Sequence, residues 1–399
     1  MNAFETVAWI AKEAVAHLSN NCVFANLVHR SYETEFKHAF KTGDEVTIRE
    51  PTQYTAVAGE TMSPEDINES SLTLKVDQRY NIGMQISSKE LALDHGKERV
   101  TNEDIKSACG TMANKVDEFL AGLYTGFYNT TGTPGSTPAS FQALTGGPEL
   151  LDHNGVPQDG RHSVVDPTAH WKLADALKGV YQPTLVKEVL RQSTLGRYAN
   201  TDFFMDQNVA THAAGAQGGT PVVNGASQTG SSLVIDGASN SITGWILKGD
   251  VFTIAGVYAV NPMSKATRAD LQQFVATADA ASDGAGNVTI AISPPITASG
   301  SYQTVSGSPA DNVAITFKTG AGGALSKQNL VFRKNAMALV MVDLPQPEGA
   351  HAAKTISQDG FSIRCVQDYN ITNDKSLYRL DIFFGGKVID PRQGVRLFG

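Results

Sequence analysis

The sequence predicts an α+β chain whose host fold is interrupted by a small all-β barrel, and three observations lead there. An apolar stripe at helical spacing runs through about residues 102–127, between stretches that alternate apolar and polar in strand fashion. A charge-poor block rich in Gly, Ser, Thr, Ala and Val fills 222–330 and carries short strands separated by turns. Mixed helix and strand sequence resumes after it, so the block reads as an insertion into a host domain, of the kind exposed loops tolerate. With 399 residues, 41% of them hydrophobic, the chain can bury a large core.

Taken in order, residues 1–42 open with a helix on which Phe4, Val7, Ala8, Ala11, Val15 and Leu18 share one face. It is either an ordinary helix packed on its own domain or an arm that docks on a neighbouring subunit, with Phe4, Val7 and Leu18 as candidate contacts. Residues 43–90 read as a long hairpin. Gly43-Asp44 opens the strand 45–50 and Pro51 ends it, a polar tip follows, and 71–76 alternates Leu72, Leu74 and Val76 against Thr73 and Lys75. An isolated hairpin is marginal in water, so it needs its own domain or a neighbour to lie on. Arg49, Glu50, Glu60, Glu65 and Asp66 are its candidate intersubunit contacts.

Residues 91–221 carry the long helix, which Thr101 and Asp104 can cap, with Ile105, Ala108, Met112, Val116, Phe119, Leu120 and Leu123 as its stripe. Farther on, 162–165 reads as a buried strand, Asp166-Pro167 as a turn, and the next stretch as a helix containing Trp171, Leu173 and Leu177. In the block 222–330, strands recur at 251–254, 273–276, 288–292 and 313–317; Val288, Ile290 and Ile292 share a face, and Lys248-Gly249-Asp250 and Asp283-Gly284 mark turns. Residues 331–399 return to the host with strands at 360–364, 377–384 and 394–399.

Site chemistry is sparse. There is no GxSxG elbow, no GxxxxGK[ST] loop and no HExxH, and Gly385-Gly386-Lys387 lacks the rest of a phosphate loop. His153, His162 and His170 are near one another but share no helix face, and no Cys or acidic ligand set accompanies them. The acidic group Glu60, Glu65, Asp66 and Glu69 lacks EF-hand spacing and reads as a solvated or intersubunit-contacting tip. Cys22, Cys109 and Cys365 form no CxxC pair and read as free thiols of a reducing compartment. No run of about 18 apolar residues predicts a membrane span, and the acidic, interrupted N-terminus does not read as a secretory signal. No catalytic residue, metal or cofactor is expected. A net charge of −8 does not draw nucleic acid by its overall field.

The order of parts resembles the major capsid proteins of tailed bacteriophages, the Hong Kong 97 fold. In that likeness 1–42 is the N-arm, 43–90 the extended E-loop, and 91–221 the peripheral domain with its spine helix and the first part of the axial domain. The segment 222–330 is an insertion, and 331–399 completes the axial domain and adds C-terminal strands to the peripheral domain. The stretch 248–257, KGDVFTIAGV, resembles the KGD-x-x-x-x-AGV segment of coat proteins of the P-22-like short-tailed phages, whose insertion is a six-stranded β-barrel. Residues 288–296, VTIAISPPI, resemble the strand and proline turn that follow, and 329–336, NLVFRKNA, the return to the host domain.

The resemblance implies a coat protein, not an enzyme. Copies of it would self-assemble as hexamers and pentamers into the icosahedral head shell of a virion, enclosing double-stranded DNA without sequence-specific binding. It implies a scaffolding protein and a portal during assembly in the host bacterial cytoplasm, allows a decoration protein, and involves no membrane. The alternatives are an encapsulin-type cellular nanocompartment, which shares the fold, and a secreted carbohydrate-binding or adhesin-like β protein.

Overall fold

The computed structural model describes residues 3–32, 45–49, 54, 71–89, 102–176 and 196–399. They fall into two compact units. The first gathers the N-terminal residues to Arg49 with Ser71–Leu120 and Met337–Lys387; the second holds Ala121–Ala336 and Val388–Gly399.

The first unit begins with helix α1 (Ala3–Asn21), followed by the single turn α2 (Phe24–Leu27). Strand β1 (Glu45–Arg49) pairs antiparallel with β2 (Ser71–Lys75), Glu45 opposite Lys75 and Arg49 opposite Ser71. Ile48 and Leu74, whose inward alternation the sequence carries, are buried. Strand β3 (Gln78–Ser87) follows at once, then helix α3 (Asn102–Gly122). Glu103 and Asp104 complement the dipole in the first turn of α3. Ile105, Ala108, Met112, Val116 and Leu120 are buried on its core side, whereas Phe119 is partly exposed. The expected cap Thr101 lies outside the described residues. Asp117, on α3 and itself buried, accepts from the backbone N–H of Val23 at 2.6 Å and Ala25 at 3.1 Å. It thereby supplies the N-terminal acceptor that α2 lacks from its own sequence.

The chain then builds the second unit. Strand β4 (Asn129–Thr131) leads to helix α4 (Phe141–His153), capped by Ser140 Oγ accepting from Ala143 N–H at 3.0 Å. On α4, Gly147 lets the helix approach Val331, which a Cβ there would meet at 2.7 Å. Strand β5 (Arg161–Val165) and helix α5 (Pro167–Ala176) follow. On α5, Leu173 is buried and Trp171 exposed; the expected helical position Leu177 lies outside the described residues. Next come β6 (Arg197–Tyr198), β7 (Thr201–Met205) and β8 (Thr211–Ala213).

The insertion is a barrel. Its strands are β9 (Gly219–Val223), β10 (Gly230–Ala238), β11 (Val251–Val260), β12 (Thr267–Ala276), β13 (Val288–Ile296) and β14 (Ile315–Phe317). They pair in the order β14-β11-β12-β13-β10-β9. The ring closes through the antiparallel bridge between Val222 and Ala314, with Val223 N–H donating to Val313 O at 3.0 Å. That bridge brings the two end strands of the sheet together. Leu233, Ile235, Trp245, Phe252, Phe274 and Ile290 fill the interior. Strand β15 (Leu325–Lys327) then pairs with β8, so the segments leading into and out of the barrel are zipped together.

After β16 (Asn329–Arg333), the chain returns to the first unit with β17 (Met337–Met341), β18 (Ala352–Gln358), β19 (Phe361–Asn370) and β20 (Lys375–Val388). These form the sheet β17-β20-β19-β18, on which β3 also pairs with β20. Residues 78–87, within the segment 43–90 expected as a hairpin, instead form a strand of this sheet. Tyr80, Ile82, Met84 and Ile86 alternate with Arg79, Asn81, Gly83 and Gln85, which is strand period. Helix α1 packs on β18 and β19. The last strand, β21 (Gly394–Leu397), runs between β4 and β16 in the second unit's sheet, ordered β4-β21-β16-β5-β7-β6.

Candidate assembly residues and the barrel neck

Two kinds of position matter for a chain of this architecture: surfaces that can meet another copy, and the joint that holds the insertion on its host. The joint is the better defined. The turn Leu247-Lys248-Gly249-Asp250 precedes β11 and closes on itself, with Asp250 N–H donating to Leu247 O at 2.9 Å and Leu247 N–H donating to Asp250 Oδ2 at 2.9 Å. Gly249 sits at φ +99°, where a side chain is strained, and a Cβ would lie 3.1 Å from Thr125 Cγ2 and 3.3 Å from His212 Cε1. The glycine of the KGD stretch is therefore a steric requirement.

Asp250 is 0% exposed and its carboxylate gathers four donors. Oδ2 takes the N–H groups of Leu247 and Gly215, both at 2.9 Å; Oδ1 takes His212 Nε2 at 2.9 Å and Thr319 Oγ1 at 2.9 Å. His212 lies on β8 ahead of the barrel and Thr319 just after β14, so one side chain ties the way in to the way out. Burial alone would push the Asp250 carboxyl up. The hydrogen bonds from His212, Leu247 and Gly215 outweigh it and hold the group below its ordinary value. On the far side of the imidazole, Tyr124 Oη lies 2.9 Å from His212 Nδ1. Burial raises the Tyr124 pKa, so the phenol stays neutral.

Arg396 of β21 completes the neck. It is 0% exposed, its guanidinium carbon lies 5.1 Å above the Tyr124 ring, and Nη1 donates to Gly249 O at 2.6 Å. Its Nε and Nη2 find no acceptor among the described residues. Burial lowers its pKa to about 10 against the opposing pull of Tyr124 and Asp250, so it stays charged at neutral pH. With every oxygen of Asp250 engaged and the whole group out of solvent, the neck's chemistry is that of a structural fastening. Elsewhere on the host side of this unit, Thr130 of β4 is held by Gln273 of β12, whose Oε1 accepts from Thr130 N–H at 2.7 Å.

The residues expected from sequence to meet other subunits are placed as follows. Arg49 ends β1; Glu50, Glu60, Glu65 and Asp66 lie outside the described residues. Phe4 lies in the first turn of α1. Val7 and Leu18 are 1% and 0% exposed and sit in the core of their own unit, so as placed neither side chain is at the surface to touch a neighbour. The apolar stripe that suggested an arm is used to seat α1 on β18 and β19; among the outward positions described on this helix is a large apolar residue, Trp9, 45% exposed. Sequence reading missed the Asp381 cluster of the first unit. This buried carboxylate on β20 takes Arg364 Nη2 at 2.6 Å and Nε at 3.1 Å, and Arg379 Nε at 2.8 Å. Only strand alternation would have hinted at it, because its partners come from two strands.

The family described as P22 coat protein, gene protein 5, matches residues 1–399. The chain belongs to the P22 coat protein family. No curated protein matches it by sequence comparison. Among solved structures, one from Mycobacterium phage Che8 aligns with a TM-score of 0.50 at 15% identity, over 94% of this chain and 90% of that one. The capsid of Cyanophage P-SCSP1u aligns at 0.45 and 11%, over 94% and 88%. The asymmetric unit of the bacteriophage PhiM1 mature capsid aligns at 0.43 and 10%, over 94% and 87%. The fold is that of Hong Kong 97-like capsid proteins. As a member of the coat protein family, the chain is a major capsid protein, a structural subunit that associates with its own copies in the head shell of a phage virion. The KGD stretch, read from sequence as a turn of the insertion, is the neck that carries the barrel.

Proposed function

We propose that copies of this chain close as hexamers and pentamers into an icosahedral shell around double-stranded DNA, with a scaffolding protein and a portal guiding assembly in the host bacterial cytoplasm. The observation that carries this reading is the family match over residues 1–399, which spans host and insertion together. The charge supports it: at −8 the chain can surround DNA without gripping it or reading its sequence. The hairpin of β1 and β2 is the E-loop in this reading, and Arg49, Glu50, Glu60, Glu65 and Asp66 are its contacts to a neighbouring copy. The N-terminal helix contributes through its outer side, where Trp9 is exposed. Segment 222–330 is the insertion domain.

Expression of the chain with and without a co-expressed scaffolding partner, followed by negative-stain microscopy, tests this. Closed shells of uniform diameter that require the partner support the reading. Only monomers or irregular aggregates under both conditions would overturn it, and uniform shells formed without any partner would favour a cellular compartment instead.

A further inference from the structure

We infer that Arg396 makes the seating of β21 conditional on a correctly formed barrel neck, so that the host sheet of the second unit closes only when the insertion is in place. Strand β21 lies inside its sheet. It is antiparallel to β16, with Leu330 opposite Arg396, and parallel to β4, with Thr130 opposite Arg396. Its alternation divides it. Val395 and Leu397 join Leu151, Val156 and Val331 in the host core, while Arg396 points the other way, to Tyr124 and the Gly249 carbonyl.

That carbonyl is the single hydrogen-bond acceptor that the described residues offer the guanidinium. Its direction depends on the turn at 247–250, and the turn depends on the Asp250 carboxylate and on a glycine at 249. A buried cation deprived of its acceptor is strongly unfavourable, far more so than an apolar side chain in the same place. Without the neck, seating β21 would bury Arg396 with nothing to receive its protons. The strand would stay out, and β4 and β16 would be left with open edges of the kind that invite mispairing. The last strand in chain order thus reports, through one side chain, on a neck turn 147 residues away in sequence. The consequence for assembly, that a subunit with this gap would be barred from the shell, rests on the proposed function; the coupling itself does not.

The test is hydrogen exchange of the full-length monomer, read at 394–398 and 329–333 and compared with the barrel strands β10–β13. Asp250→Asn turns part of a carboxylate that faces four donors into a donor and should open the neck. Exchange at 394–398 should then quicken by roughly tenfold or more. Arg396→Met removes the need for an acceptor while keeping length and apolar bulk. The double variant should return 394–398 to within about threefold of the unaltered chain, whether or not the neck itself recovers. Unchanged protection at 394–398 in Asp250→Asn, or a double variant as open there as Asp250→Asn, would overturn the inference. Should Asp250→Asn prove insoluble, the inference requires the double variant to be soluble, and insolubility of both overturns it. Because the readout is on monomers, it is independent of whether shells form.

Discussion

His212 Nε2 stands 2.9 Å from Asp250 Oδ1, so the short strand that leads into the barrel is fastened to the turn from which β11 springs. The same carboxylate holds Gly215 and Thr319, and the imidazole holds Tyr124. Removing it strands several buried donors together. Asp250→Ala should therefore destabilise the chain by about 3–5 kcal/mol, seen as a lower urea midpoint for the monomer. A change below about 1 kcal/mol would mean that the four bonds contribute no more than an exposed carboxylate does.

The same group gives a signed pH dependence. Its carboxyl is held below the ordinary value, so the folded chain binds the proton more weakly than the unfolded chain does. The stabilisation is then fully present above the unfolded value, near pH 4, and is lost as pH falls through the lower folded value. Urea midpoints at pH 5, 4 and 3 should drop more steeply for the unaltered chain than for Asp250→Asn. Parallel curves would remove Asp250 from the acid response and leave it to other depressed carboxyls such as Asp390, partly buried yet held down by Arg392.

Much of this fold was legible in the sequence, and the reasons differ by element. The stripe of α3 and the alternation of Val288, Ile290 and Ile292 are local patterns, and local patterns survive as helix and strand. The barrel block announced itself by composition. What stayed hidden depends on partners far along the chain. Strand β3 becomes a strand by pairing with β20 almost three hundred residues later, and β8 with β15 across the whole insertion. Asp117 caps a helix that ends ninety residues before it. Of the neck, the sequence showed the KGD turn but not that its glycine carbonyl receives Arg396. For the contact residues, the stripe through Val7 and Leu18 was real, yet periodicity alone does not say whether the surface it meets belongs to the same chain.

The stripe of α3 makes a graded prediction. Leu120 is fully buried, whereas Phe119 is partly exposed and meets Phe384 edge-on at 5.4 Å between ring centres. Leu120→Ala should cost about 2–5 kcal/mol through lost burial and a cavity. Phe119→Ala should fall below the 3–5 kcal/mol typical of a fully buried ring. Denaturant midpoints of the purified monomers decide it. An unchanged midpoint for Leu120→Ala would take this helix face out of the core.

The barrel's interior is filled by its own side chains, from Leu233 and Ile235 through Trp245 and Phe252 to Ile292, and its strands close on themselves. Trp245 Nε1 donates to Gly218 O at 2.8 Å, so the segment just before β9 belongs with it. A fragment covering about residues 217–320 exceeds the ~40 residues below which staples are usually needed. It should fold cooperatively by itself as a β protein. A proton–nitrogen correlation spectrum with collapsed amide dispersion would show that the host is needed to form it.

The hairpin gives the prediction most specific to a shell subunit. Strands β1 and β2 pair through five residues each, and the stretch between them is polar and acidic, with Glu60, Glu65, Asp66 and Glu69. The strands already bury Val46, Ile48 and Leu74 within the chain, and the long polar stretch between them needs a reason beyond that burial. Contact with a neighbouring copy supplies one. Replacing residues 52–68 with a short Gly-Ser turn should leave the monomer's circular dichroism nearly unchanged while abolishing shells by microscopy. The two readouts separate the explanations. If dichroism and solubility collapse together, the tip is part of the monomer's own fold. If shells of normal diameter still form, the tip is no contact, and Glu60, Glu65 and Asp66 lose the role proposed for them.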